Sequence, residues 1–166
     1  MELARDSSVL RNLAPTLPLP HMTTEEISLL KSSFQKIGPV AEQAAALFYA
    51  RLFELDPSLR ELFEGDMATQ SRRLWQTLGF AVHGLEHLDT LAPAARHFGL
   101  RHAGYHVKSS HYDSICEALL WTLSKGLGVD FTSEMRAAWG KIYWLLAETM
   151  KAGARDGAAS LNRAVA

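Results

Sequence analysis

Ring side chains with acid–base or metal-binding chemistry crowd one short stretch, Phe98 to Tyr112 (FGLRHAGYHVKSSHY), which holds His102, Tyr105, His106, His111 and Tyr112. A neutral imidazole offers a nitrogen lone pair to a transition metal and changes protonation near neutral pH. His102 and His106 are four residues apart, so on a helix both could face one way and chelate a metal, although no third ligand stands at the local spacing such a site needs. A lone histidine on a helix is otherwise an ordinary core or surface residue. Upstream, Gln70 and Leu74 are also four apart and share a helical face, and the Gln70 amide can donate a hydrogen bond. Tyr49 lies beside an apolar stripe, where it reads as a core aromatic or as a phenol with work to do. Cys116 sits among apolar helix positions and reads as core packing.

These side chains need elements to hold them. Thr23-Thr-Glu-Glu26 is a capping box, and Ile27, Leu30, Phe34 and Ile37 follow at helical spacing until Gly38-Pro39 breaks the run. A second helix is expected from about Val40 to Leu55, with Ala44, Phe48, Leu52 and Leu55 on one side. Asp56-Pro57 caps and starts a short third helix ending near Leu62, and the chain turns a corner at Phe63-Glu-Gly-Asp-Met67. A long helix from about Ala68 to Leu88 puts Gln70, Leu74, Leu78 and Val82 on one face. Residues 90 to 105 form a less regular helix. Ser109 and Ser110 cap another that runs to about Leu127, closed by Gly126 and Gly128. Thr132 caps the last, which ends near Ala152. Roughly seven helices and no strand define an all-α domain, and their unequal lengths and tight corners favour oblique packing over a four-helix bundle. No internal repeat is present.

The 166 residues suit one domain, 48% of them apolar. A net charge of -1 makes no electrostatic case for nucleic acid or an anionic membrane. No apolar run approaches a membrane span, and no basic start followed by an apolar core marks a signal peptide. The single cysteine cannot form an intramolecular disulfide, which fits a reducing, cytoplasmic compartment. Residues 1–22, with the Pro-rich run from Asn12 to Pro20, read as a flexible extension. A domain over 23–152 and a tail over 153–166 complete the expected division.

The chain from Thr23 to Lys151 resembles the globins, in particular bacterial single-domain haemoglobins and the globin domain of flavohaemoglobins, and is also similar to neuroglobin. The residues carrying the match are Ala46-Leu-Phe-Tyr-Ala-Arg-Leu-Phe53, Leu62-Phe63, Gln70-Ser-Arg-Arg-Leu74, Arg101-His102, Val107, His111-Tyr112 and Ala138-Trp-Gly-Lys-Ile-Tyr143. The resemblance implies a globin fold around haem b (iron protoporphyrin IX), with His102 as the proximal iron ligand, since a neutral imidazole supplies one fixed axial bond and leaves the opposite position open. It implies a distal side made of Tyr49 and Gln70, which also stand as the catalytic pair, with Leu74 on the same face. Phe63 would pack on the porphyrin face, Val107 would line the pocket, and Arg73 or Arg101 would meet the propionates. Tyr112 or Tyr143 would join a proximal network, but the glutamate that completes it in flavohaemoglobins falls at Ala154, which lowers the expectation of peroxidase-like reactivity. His106 stands where relatives usually carry glycine.

The function so implied is reversible binding of dioxygen, with carbon monoxide and nitric oxide as further ligands, and an open sixth position because glutamine binds iron poorly. Nitric oxide dioxygenase activity would follow given electrons. The length leaves no room for a fused flavin and nicotinamide domain, so a separate reductase is the expected partner of a monomer or weak dimer. The alternative is a haem-based gas or redox sensor. A globin-like fold without haem would have little reason to keep His102, Tyr49, Phe63 and Gln70 together.

Overall fold

The computed structural model describes residues 21–63, 65–102 and 107–165, the side chains of His102 and of 160–165 excepted. The Pro-rich extension up to Pro20, Tyr105 and His106 therefore lie outside the described residues. Among the described residues six α-helices follow in order: α1 Thr24–Ile37, α2 Ala41–Leu55, α3 Met67–His83, α4 Leu88–His102, α5 Ser109–Leu127 and α6 Ser133–Val165. Among the described residues there is no strand. The expected short third helix is a 3-10 segment, Pro57–Leu62.

Local signals start most helices where the sequence places them. The Thr23 hydroxyl accepts from Glu26 N–H at 3.1 Å while Thr23 N–H donates to the Glu26 carboxylate at 2.8 Å, so two orphan donors are satisfied at once. Asp56 is extended, which ends α2, and its carboxylate accepts from Ser58 N–H at 3.1 Å to open the 3-10 segment. Asp66 accepts from Ala68 and Thr69 N–H and begins α3. Thr132 accepts from Met135 N–H at 3.2 Å at the head of α6.

Three boundaries differ from expectation. α3 stops at His83 rather than near Leu88, because Gly84 caps it and the chain tightens into a 3-10 turn, Gly84–Glu86. The apolar periodicity that hid this break persists because Leu85, on the turn itself, is 2% exposed. Ser109 and Ser110 are not caps but the first helical residues of α5; instead Lys108 N–H donates to Nδ1 of His111 at 3.1 Å, the ring filling the place a glutamate takes in a capping box. α6 does not end near Ala152 but continues to Val165. Alanines favour that continuation, and Arg96 of α4 pairs with Asp156 on it.

Packing divides the helices into two groups. α3 leans mainly on α1 and α2, while α4 leans mainly on α6. The α4–α6 crossing is close enough to need glycine: a Cβ at Gly99 would sit 1.9 Å from the Met150 carbonyl oxygen, and one at Gly153 would sit 2.1 Å from that of Arg96. α6 is joined to α1 through Trp139, whose Nε1–H donates to the buried Ser33 hydroxyl at 2.9 Å. Leu30, Leu52, Leu59 and Leu85 complete a core shared by α1, α2, the 3-10 segments and α5.

Candidate functional site

Tyr49 faces inward from α2, with only 4% of its surface exposed. Its hydroxyl donates to the main-chain oxygen of Gln70 at 3.3 Å. Its ring meets Phe63 edge-on at 5.3 Å and lies 6.0 Å from Phe53, so an aromatic wall joins the end of α2 to the corner before α3. Burial pushes the Tyr49 phenol up to about 12, so it stays protonated and remains a donor. Gln70 stands in the first turn of α3 and is half-buried; Leu74, one turn on, is half-buried against the core. The structure thus brings Tyr49, Phe63 and Gln70 together, with Leu74 on the same helix.

The second group gathers at the start of α5. Val107 packs, half-buried, with Tyr112, Cys116, Trp144 and Ala147. The Tyr143 hydroxyl donates to the main-chain oxygen of Tyr112 at 2.7 Å, so these two tyrosines are neighbours. Burial raises Tyr143 well above its ordinary value; burial and the Glu148 charge raise Tyr112, and both stay neutral phenols. Cys116 is pushed up to about 12, by burial first and then by Asp113, so it is an inert thiol in the core.

His102 is the last residue of α4, and its side chain lies outside the described residues. Arg73 and Arg101 are exposed, as is His97. Two features went unread in the sequence. Lys151 lies 4.8 Å over the Tyr112 ring and 5.0 Å over that of Trp144, while paired with Glu148 at 2.8 Å; only the Glu148–Lys151 spacing hinted at it. His111 is buried as the partner of Lys108 N–H, a role its third position in α5 could have signalled. Two hollows of about 370 Å³ each lie at the corner between α3 and α4, and neither touches Tyr49, Phe63 or Gln70.

A haem needs apolar contacts for its faces and cations for its anionic edge: Phe63, Leu74 and Val107 are half-buried apolar residues, and Arg73 and Arg101 are exposed. A single imidazole position at the end of α4 matches a metal that brings its own equatorial ligands. The residues present fit a haem.

The all-helical fold of the described residues is that of a globin. The globin family profile matches residues 46–150, and the chain belongs to the globin family. It is 30% identical over 128 residues to the flavohemoprotein of Xylella fastidiosa strain 9a5c, covering 75% of this chain and 32% of that protein. The chain thus spans about a third of the length of that curated relative. Neuroglobin-1 of Oncorhynchus mykiss is 25% identical over 146 residues, covering 80% of this chain and 92% of that one. Among solved structures, an engineered carbene transferase made from RmaNOD, a candidate nitric oxide dioxygenase of Rhodothermus marinus, superposes with a TM-score of 0.74 at 26% identity, covering 85% of this chain and 99% of that one. A hexacoordinated haem protein of an anhydrobiotic tardigrade shares the fold at 18% identity, with a TM-score of 0.72 over 82% of this chain and 97% of that one. Membership of the family implies a bound haem and a gaseous ligand. No helix among the described residues is long and apolar enough to cross a membrane.

Proposed function

We propose that this protein binds haem b through His102 and holds dioxygen reversibly on the side of Tyr49 and Gln70. The observation that carries the reading is the buried, protonated Tyr49, its hydroxyl 3.3 Å from Gln70 O and its ring against Phe63. When bound, haem would supply an iron able to take dioxygen. His102 would be the residue that holds the iron. Tyr49 and the Gln70 amide donate hydrogen bonds toward the bound gas, a charge-assisted contact worth roughly 1.5–3 kcal/mol. Phe63, Leu74 and Val107 would offer the haem apolar contacts and exclude water. Arg73 would offer a cation to a propionate, and Tyr112, braced by Tyr143 and Lys151, would support the proximal side.

Two strong donors slow the release of oxygen and resist the loss of superoxide, the condition under which a second gas, nitric oxide, meets bound dioxygen. The protein then forms nitrate from nitric oxide and dioxygen, with electrons from a separate reductase. The relation to a flavohemoprotein and to a candidate nitric oxide dioxygenase supports this activity.

Absorption spectra of the ferric, ferrous and carbon-monoxide forms test the reading. A five-coordinate ferrous spectrum with rapid carbon monoxide binding is expected. A six-coordinate ferrous spectrum would mean that a side chain closes the site and would favour a sensor. In His102→Ala, the axial imidazole spectrum should be lost and hemin retention should fall; an unchanged spectrum would reassign the proximal ligand.

A further inference from the structure

His111 is buried and titratable, and the proposed gas chemistry leaves it unused. Its side chain is 5% exposed, and both ring nitrogens have defined surroundings. Nδ1 accepts from Lys108 N–H at 3.1 Å, so the neutral ring carries its proton on Nε2. Nε2 lies 3.9 Å from Oδ2 of Asp56, beyond hydrogen-bond length but within the range of a charge–dipole attraction. Asp56 is itself fixed: its other oxygen accepts from the Ser58 hydroxyl at 2.6 Å and from Ser58 N–H at 3.1 Å. Those bonds, led by the hydroxyl, together with the Lys108 charge, hold the Asp56 carboxyl below its ordinary value despite partial burial, so it is an anion.

The position of this pair in the chain gives it consequence. Lys108, whose N–H His111 holds, stands six residues after the proposed iron ligand. Asp56 opens the 3-10 segment that leads to Phe63, the aromatic beside Tyr49. We propose that His111 is a positioning residue for the proposed haem site, clasping the start of α5 through Lys108 N–H to the start of the 3-10 segment that leads to Phe63 through Asp56. The inference rests on the haem-binding reading above.

Substitutions at His111 separate a clasp from a mere helix cap. Glutamine can still accept from Lys108 N–H at the third helical position and leaves Asp56 undisturbed. Glutamate also accepts there, and suits a helix N-terminus even better, but it repels Asp56. Leucine can do neither. Full-length variants are loaded with hemin and its transfer to excess apomyoglobin is timed. His111→Gln should stay within about twofold of wild type, and His111→Glu should lose hemin roughly five- to tenfold faster. His111→Leu should be faster still, with rapid amide exchange at Lys108. Adding Asp56→Asn, which keeps the Ser58 cap, should restore the glutamate variant toward the wild-type rate.

A helix cap alone predicts a glutamate variant indistinguishable from wild type, and that result would overturn the clasp. Should the leucine variant fail to fold, the contrast between glutamine and glutamate decides. If the wild type takes up no hemin, the haem reading falls and the clasp with it. Unchanged transfer from a hemin-loaded glutamate variant removes the clasp alone.

Discussion

Tyr49 combines an apolar burial that keeps its proton with a hydroxyl whose present acceptor is only a 3.3 Å main-chain contact. Such a long bond contributes little to stability, so the hydroxyl can turn to a better acceptor at small cost. Tyr49→Phe should therefore leave the unfolding midpoint nearly unchanged while raising the rate of oxygen dissociation from the ferrous protein about ten- to a hundredfold, read by stopped-flow displacement with carbon monoxide. An unchanged rate would remove Tyr49 from the ligand's surroundings. The phenol and the amide were legible as candidates from the family pattern, since residue type carries the chemistry. The resemblance also implied that they share one side, but not the bond from the Tyr49 hydroxyl to the Gln70 main chain, which joins two helices across an intervening corner.

At the scale of elements, α4 matters most, since it ends in His102 and leans on α6 across glycine. In Gly99→Ala the new methyl would meet the Met150 carbonyl at 1.9 Å, backbone against backbone, so α4 must shift. A loss on the order of 1–3 kcal/mol is expected, with hemin uptake impaired because the helix end moves with it. Gly140 is the control: it lies within α6 with nothing within 4 Å of an added Cβ, so Gly140→Ala should stabilise by up to about 1 kcal/mol through helix propensity. Urea unfolding of the two variants reads both signs, and equal behaviour would mean that the crossing tolerates separation.

Across the whole molecule, Lys141 of α6 ties the beginning of the fold to its end by reaching the Glu26 carboxylate at 2.8 Å and the His21 carbonyl at 3.0 Å. Burial alone would raise the Glu26 carboxyl, but the Lys141 hydrogen bond, the Thr23 N–H and the Lys141 charge outweigh it and hold it below its ordinary value. A group depressed on folding stabilises above its unfolded pKa, and that stability is lost as the pH falls through the folded value. Glu26→Gln should therefore lower stability at neutral pH and flatten the acid limb of stability against pH, measured by urea midpoints at successive pH values. Parallel acid limbs for variant and wild type would exclude this contribution.

Much of this architecture could be read along the chain because its signals are short-range. The Thr23–Glu26 box, the Asp56-Pro57 start and the Thr132 cap each act within three residues, and the helical periodicity of Ile27 to Ile37 acts within a few turns. The family pattern singled out Tyr49, Phe63, Gln70 and His102. What stayed hidden had its cause in space. Gly84 ends α3 although the apolar pattern runs on, since Leu85 is buried by the turn as well as it would be by a helix. α6 continues past Ala152 with Gly153 set against the Arg96 backbone and Asp156 paired with Arg96, and α4 is far away in sequence. The Trp139–Ser33 bond spans 106 residues and the Tyr143–Tyr112 bond 31. Which partners meet at such separations depends on how helices cross, a property of summed packing across the core that no local stretch of residues encodes.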